Sequence, residues 1–441
     1  MKVGILGGGL SGLTLGYLLS QKNIEFEILE KESSPGGLIR SIKSDGYVFD
    51  YGGSHIIFSR DTEVMDFILN LLGDNKIRNK RNTKVLYEGN YVKYPFENGL
   101  SDLPIEDNYE CLMTFIHNHI KKEKGELCPP RNLREWCYYN FGLGISEKYL
   151  LPYNEKIWKF PPERTALDWV ERIPQPPLED IIKSSLGINT EGYVHQLYFY
   201  YPLTGGIQEI VRALSKDISQ SIRPNFEVKH ISKGHHGWLV SNGDIDVHFD
   251  RLISTIPVHE LISALDGVPL NVINAVNNLK YNSLITIGIG ISGSNLPDLS
   301  WLYIPDKEIT THRISFPSGY SVSTVPPGTS SILAEITCNY DDALWNLSDD
   351  ELIDKTINDL HRLRIISKTD VSFTILKRLK YAYVINDLDY QKNLTIVSEF
   401  LKSQGIDSVG RFAEFQYLNM DGCIRSAMDF LKAISWESYD V

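Results

Sequence analysis

The chain has 441 residues, with 44 Lys and Arg against 56 Asp and Glu, for a formal net charge of −12. A chain of that length exceeds one hydrophobic core and implies more than one structural region. The acidic balance argues against general binding to nucleic acid or an anionic membrane, although a local basic pocket can still hold a phosphate.

In chain order, Lys2-Val3-Gly4-Ile5-Leu6 reads as a buried strand and Gly7-Gly8-Gly9-Leu10-Ser11-Gly12 as a tight turn opening a helix. Leu13, Leu15, Leu18 and Leu19 are that helix's apolar positions. Phe26-Glu27-Ile28-Leu29 forms a second strand, ended by Glu30. Together these make the βαβ dinucleotide-binding fingerprint with its terminal acid. Gly7 permits the turn, Gly9 lets backbone approach a pyrophosphate, and Gly12 lets helix and strand pack closely. The phosphates then meet the helix N-terminus, where free N–H groups and the positive dipole end point at them. Glu30 stands where an adenosine ribose is bound.

Two Gly-Gly pairs follow, Gly36-Gly37 and Gly52-Gly53, where backbone must approach something closely. From about 100 to 195 the pattern is largely helical, with proline breaks at 129–130, 161–162 and 174–177. A turn at Thr204-Gly205-Gly206 leads into a helix from Ile207 to Ser215. Val228 to Val240, Ile245 to Phe249 and Leu252 to Ile256 read as short strands returning to the first sheet. From 281 to 385 strands alternate (Leu284 to Ile291, Ser331 to Thr337), with a helix near Asp349 to Leu363. Ile406 to Ile434 reads as strand, turn and helix. The expected class is α/β. A discontinuous cofactor domain comprises 1–98, 200–280 and 390–441, interrupted by a mainly helical substrate or lid domain at 99–199 and an antiparallel-sheet substrate domain at 281–389.

No apolar run reaches the length of a membrane span. The five cysteines (Cys111, Cys128, Cys137, Cys338 and Cys423) include no CxxC pair and suit reduced thiols in a cytoplasmic protein. Among the histidines only His117-x-His119 has a ligand-like spacing, and it stands alone on a polar helix, so no metal is expected.

Five further motifs carry a resemblance. They are Phe49-Asp50-Tyr51-Gly52-Gly53-Ser54-His55-Ile56-Ile57-Phe58-Ser59; Tyr94-Pro95-Phe96-Glu97-Asn98; Pro152-Tyr153-Asn154-Glu155-Lys156-Ile157-Trp158 followed by Trp169-Val170-Glu171-Arg172; Trp301-Leu302-Tyr303 with Arg313 and Tyr320; and Gly410-Arg411-Phe412 with Tyr417-Leu418-Asn419-Met420-Asp421. In this order and spacing the chain resembles the glutathione-reductase-like flavoproteins of the amine oxidase and protoporphyrinogen oxidase superfamily, and within them the UDP-galactopyranose mutases. The resemblance implies a Rossmann FAD domain and a redox-neutral interconversion of six- and five-membered ring forms of a nucleotide-linked galactose. In that chemistry, N5 of reduced FAD attacks the anomeric carbon, so the cofactor is the nucleophile and the protein orients groups and stabilises charge.

The resemblance also implies site residues. Arg313 would be the fixed diphosphate-binding arginine and Arg172 its partner on a mobile lid, guanidinium being suited by its planar fork and permanent charge. Tyr320, Tyr383 and Tyr417 would donate to phosphate, and Tyr153, Asn154, Trp158, Tyr303 and Asn419 would line the uridine and sugar pocket. His55 would lie beside the flavin. Cofactor contacts are expected from Gly7, Gly9, Leu10, Ser11, Gly12, Glu30, Lys31, Gly37, Leu38, Arg40, Gly53, Ser54, His55, Gly410, Arg411 and Met420, and from Val228 through its backbone.

Several positions depart from the pattern. Ser54 separates Gly53 from His55, Gln416 stands where familiar members have arginine, Asn419 where bacterial ones have aspartate, and Ala413 where a glycine is usual. These leave the exact sugar and nucleotide open. They also leave two other readings: an FAD oxidase or desaturase of the protoporphyrinogen oxidase or amine oxidase type, whose pocket would be apolar, and an FAD-binding scaffold without activity. NAD(P)H or another reductant and a second copy of the chain are candidate partners.

Overall fold

The computed structural model describes residues 1–190, 197–293 and 295–434. The end of the expected helical stretch, 191–195, and the terminal 435–441 lie outside them. Five parallel strands form one sheet in the order Ile406–Ser408, Arg251–Ser254, Val3–Leu6, Phe26–Leu29, Ile222–Arg223. All four residues of Val3–Leu6 are buried, as an uninterrupted apolar strand in the middle of a parallel sheet requires. Helix Leu10–Ser20 covers one face together with the last helix, Met420–Ala433. The two share a core of Leu13, Leu15, Leu19, Ile424, Ala427 and Leu431. Full burial of each such leucine stabilises the fold by about 1.5–3 kcal/mol.

The strands expected from Val228 to Phe249 do not return to that sheet. His230–Gly234, Gly237–Ser241 and Asp246–Phe249 form a separate antiparallel meander, and only Arg251–Ser254 rejoins the parallel strands. The reason is in the pattern: buried Trp238, Val240, Val247 and Phe249 alternate with less buried residues, which fits a sheet with one wet face.

A second, seven-stranded sheet runs Val371–Ile385, Lys280–Ser292, Thr329–Cys338, Arg313–Ser315, Trp301–Tyr303, Thr83–Tyr87, Asn90–Lys93. Every neighbouring pair is antiparallel except Trp301–Tyr303 with Thr83–Tyr87. Residues 83–93 therefore belong to this sheet and not with the N-terminal strands, where the expected 1–98 boundary put them. Ile285, Ile287, Ile289 and Ile291 share one face with Ile332 and Ile336 and pack in one core with Leu352 and Leu360 of helix Asp349–Arg362. That helix starts with a reciprocal capping box between Ser348 and Glu351.

The third region is helical: Ile105–Glu123, Leu133–Ile145 and Leu178–Ser185, with Ser146–Leu150 continuing into Leu151–Trp158. Phe96, Phe115, Leu133, Trp136, Phe141 and Ile145 form its core. No helix among the described residues is long and apolar enough to cross a membrane.

Candidate functional site

The glycine turn is built from backbone contacts. The Gly7 N–H donates to Leu29 O at 2.8 Å, and Thr255 Oγ donates to Leu6 O and Gly7 O at 2.8 and 3.0 Å. A Cβ on Gly12 would fall on the Gly7 carbonyl, so only glycine allows the helix to start this close to the strand. Leu10, Ser11 and Gly12 open the helix just after Gly9, where N–H groups lack intrahelical acceptors. Glu30 is 7% exposed; Oε2 accepts from Gly8 N–H at 2.8 Å and Oε1 from Glu32 N–H at 2.9 Å. The next glycine pair reaches the same loop, Gly36 N–H donating to Gly8 O at 2.7 Å, and Gly37 approaches Gly9. The Gly410 turn lies against Ser11. Arg40 stays near this cradle, its Nε donating to Gly37 O and its guanidinium 4.4 Å from the Tyr51 ring centroid. Lys31 is exposed. Val228 is half-buried, two residues past Phe226, whose N–H donates to Glu30 O at 2.8 Å.

Beyond the cradle two cavities adjoin. The smaller, about 240 Å³, is lined by Leu38, Gly52, Ser54, His55, Arg411 and Met420 among others. The larger, about 580 Å³, is lined by Tyr153, Asn154, Trp158, Trp169, Arg172 and Glu97 among others. Tyr303, Arg313, Tyr383, Tyr417, Asn419 and Asp421 line both. Arg411 stacks 4.9 Å from Tyr417 and 5.2 Å from Tyr383, while its Nε and Nη2 are buried without a hydrogen-bond partner. Orphaned guanidinium donors beside a glycine cradle fit an anionic group such as a dinucleotide pyrophosphate.

Arg313 sits on a short strand whose register sets it opposite both Tyr303 and Glu335. Glu335 is fully buried, and Arg313 grips it through Nε–Oε1 at 2.9 Å and Nη2–Oε2 at 2.6 Å. The Glu335 charge and hydrogen bond keep Arg313 protonated against burial, which pulls the other way. Lys156 clamps this strand end to helix Leu151–Trp158. Its Nζ donates to the carbonyls of Ile304 and Asp306, both at 2.7 Å, and of Thr311 at 2.8 Å.

The helix presents Tyr149 and Tyr153 one turn apart on the same face, stacked at 5.5 Å, and Tyr153 meets Tyr303 edge-on at 5.1 Å. Trp158 contacts Trp169, Tyr417 and Tyr383 edge-on at 4.8, 5.4 and 5.8 Å. Arg172 is exposed at the rim, its guanidinium 4.5 Å from the Tyr417 centroid and its Nη1 3.4 Å from Asn419 Oδ1. On the other wall, His55 Nδ1 lies 2.8 Å from Gly53 O and its N–H donates to Asp50 Oδ2 at 3.3 Å. Burial pushes His55 down to about 4, helped by the Arg313 and Arg411 charges and opposed by the Gly53 carbonyl. The ring is therefore neutral near pH 7. Burial raises Asp50 to about 6 despite the bonds it accepts from Ile207, Tyr201, His55 and Ser41.

One expectation needs correction. Tyr320 does not face either cavity: it is 1% exposed, packed on Phe199 and Tyr201, and its hydroxyl donates to Ser300 O at 2.9 Å. It is a core tyrosine with a satisfied hydroxyl. Asn154 borders the larger cavity, but its Oδ1 accepts from Trp158 Nε1 at 2.9 Å and its Nδ2 donates to Leu150 O at 2.7 Å; it orients Trp158. Ser54 borders the smaller cavity with its hydroxyl turned away, donating to Tyr320 at 2.9 Å. Among the departures, Gln416 is exposed and borders neither cavity, and Ala413 is buried.

Sequence reasoning also missed residues. Glu335 could have been found as the one acid inside the apolar run Ser331-Ile332-Leu333-Ala334-Glu335-Ile336, since a charge in a buried strand needs a partner. Glu97 lay within a recognised motif without a role. It is 1% exposed, its Oε1 has no partner, and burial pushes its carboxyl up to about 8. Asp421, which accepts from Ser59 Oγ at 2.6 Å, was likewise quoted without a role.

Comparison with known proteins adds to this geometry. Residues 153–383, more than half of the chain, match the family described as flavin containing amine oxidoreductase, and residues 5–71 match the NAD(P)-binding Rossmann-like domain. The solved structure of a reduced UDP-galactopyranose mutase superposes with a TM-score of 0.89 at 27% identity, covering 99% of this chain and 96% of that one. Coproporphyrinogen III oxidase of Staphylococcus aureus is 42% identical over 52 residues, 11% of each chain. Protoporphyrinogen oxidase 2 of Arabidopsis thaliana is 26% identical over 91 residues, 21% of this chain and 17% of that one. The matches to these two curated relatives thus span less than a fifth of either relative's length. Both matched families point to a nucleotide cofactor, and the longer one to a flavin.

Proposed function

The chain belongs to the flavin containing amine oxidoreductase family, and from that premise we propose that it is a nucleotide-sugar mutase using reduced FAD. Its substrates are UDP-galactopyranose and UDP-galactofuranose or the equivalent pair of a related nucleotide sugar. One observation carries this reading: Arg313 lies at the junction of the two cavities, and Arg172 borders the larger one with it. A hydride-removing oxidase acting on an apolar substrate has no use for two guanidinium groups beside its substrate, whereas a leaving diphosphate requires them.

FAD fits the cradle, held by the turn from Gly7 to Gly12, by Glu30, Gly37 and Gly410, and by Arg40 and Arg411. When bound in its reduced form, it supplies a nucleophilic N5 for the anomeric carbon. The chain's own residues then bind and orient. Glu335 engages Nε and Nη2 of Arg313, which leaves Nη1 for a phosphate oxygen and fixes the plane of the fork. Arg172 approaches from the rim, and the hydroxyls of Tyr383 and Tyr417 donate without adding charge. Tyr153 and Tyr303, with Tyr149 behind them, offer flat faces for a base. Trp158, oriented by Asn154, lines the larger cavity and packs edge-on against Tyr383 and Tyr417. Neutral His55, with Nδ1–H directed at Gly53 O, keeps Nε2 as an acceptor on the flavin side.

The test is to mix dithionite-reduced, flavin-loaded protein with UDP-galactofuranose and to follow UDP-galactopyranose by chromatography. Appearance of the isomer supports the mutase. Substrate-dependent reoxidation of the flavin by oxygen without any isomer supports the oxidase.

A further inference from the structure

Ser54 is the extra residue in the loop that faces the smaller cavity, and both of its polar groups point away from that cavity into the protein. Its N–H donates to Glu335 Oε1 at 3.2 Å, the same oxygen that accepts Arg313 Nε at 2.9 Å. Its hydroxyl donates to Tyr320 at 2.9 Å, and Tyr320 in turn donates to Ser300 O. The neighbouring Gly53 has φ +92°, and a Cβ there would sit 2.8 Å from Glu335 Oε2, so the loop backbone lies directly on the carboxylate. Two donors on one buried acceptor oxygen cannot be independent: moving either changes what the other feels.

We propose that Ser54 is a positioning residue that couples the two cavities, setting Arg313 through Glu335 on one side and fixing the flavin-facing loop through Tyr320 on the other. This rests on the reading of Arg313 as an anion-binding residue. Displacement of residues 52–55 by whatever occupies the smaller cavity withdraws a donor from Glu335 Oε1 and reorients the guanidinium that faces the larger one. Conversely, an anion on Arg313 loosens Glu335 and is felt at the loop.

The experiment is a double-mutant cycle on flavin-loaded protein, with inorganic pyrophosphate as the probe, titrated by calorimetry and by the flavin visible spectrum. Ser54→Ala weakens pyrophosphate by about five-fold, the value of one ordinary hydrogen bond, and Ser54→Thr restores it. Glu335→Gln weakens it further. The double variant is no weaker than Glu335→Gln alone, because the hydroxyl that Ser54→Ala removes reaches Arg313 only by holding the loop whose backbone N–H bonds Glu335. If Glu335→Gln does not fold, the cycle is run with Arg313→Lys. Additive effects overturn the coupling and leave the anion-binding reading standing. Loss of flavin from Ser54→Ala also overturns it, making Ser54 a cofactor-holding residue. Absence of pyrophosphate binding to the unaltered protein overturns both.

Discussion

The glycine cradle and the double cavity are two ways of building a binding site from one chain. The cradle recruits backbone from three glycine-containing turns that touch one another, and its chemistry is that of N–H groups and close approach. The cavity wall takes side chains from helix Leu151–Trp158, from the strands carrying Tyr303, Arg313 and Tyr383, and from the loop before Met420. What the cradle binds is set by backbone geometry at the glycine turns. What the cavity binds depends on which charge stands beside which, and so on long-range register.

The contrast breaks most sharply at Arg313. Arg313→Ala strands Glu335 as an uncompensated buried charge, and unfolding in urea should show a loss of about 3–5 kcal/mol. Turnover disappears while the yellow flavin stays bound, because the cradle does not depend on this residue. Release of flavin instead would mean that Arg313 belongs to the cradle.

Glu97 tests the cavity wall through pH. Its carboxyl, lifted to about 8 by burial, keeps its proton in the folded chain where the unfolded chain has already released it. The stability it contributes is therefore complete below the unfolded value of 4.5 and is lost as pH rises through about 8. Glu97→Gln removes that dependence. The melting temperatures of variant and wild type should lie closest below pH 5, with the variant increasingly ahead toward pH 8. A gap that does not change with pH would place an unseen cation beside Glu97.

Smaller effects sharpen the picture. Trp158→Phe deletes one buried hydrogen bond to Asn154 and should cost about 1 kcal/mol by thermal melting. Gln416→Ala, at an exposed position outside both cavities, should fall within about 0.5 kcal/mol and leave substrate affinity unchanged. Weakened affinity would return Gln416 to the site.

These regions also differ in how far they can be read from sequence. Gly7, Gly9, Gly12 and Glu30 were legible because a turn, a close approach and a strand end each demand a particular residue type at a fixed spacing. Arg313, Arg172, Tyr383 and Tyr417 were legible only through resemblance, since nothing local distinguishes them from surface arginines and packed tyrosines. Tyr320 shows the cost: its spacing from Arg313 suggested a site residue, but the helical turn at Pro317–Gly319 carries its ring into the core among Phe199 and Tyr201. The sheet position of residues 83–93 depends on pairing with a strand more than two hundred residues away, which no local window contains.

The most direct measurement follows the flavin itself. Reduced protein is mixed anaerobically with the nucleotide sugar, and flavin absorbance and sugar isomer are recorded together. A redox-neutral mutase accumulates the isomer over many turnovers with the flavin as reduced at the end as at the start. The contradicting result comes from the oxidised protein: if it bleaches on adding a substrate and forms no sugar isomer when reduced, the chain is an oxidase and its guanidinium groups serve another ligand.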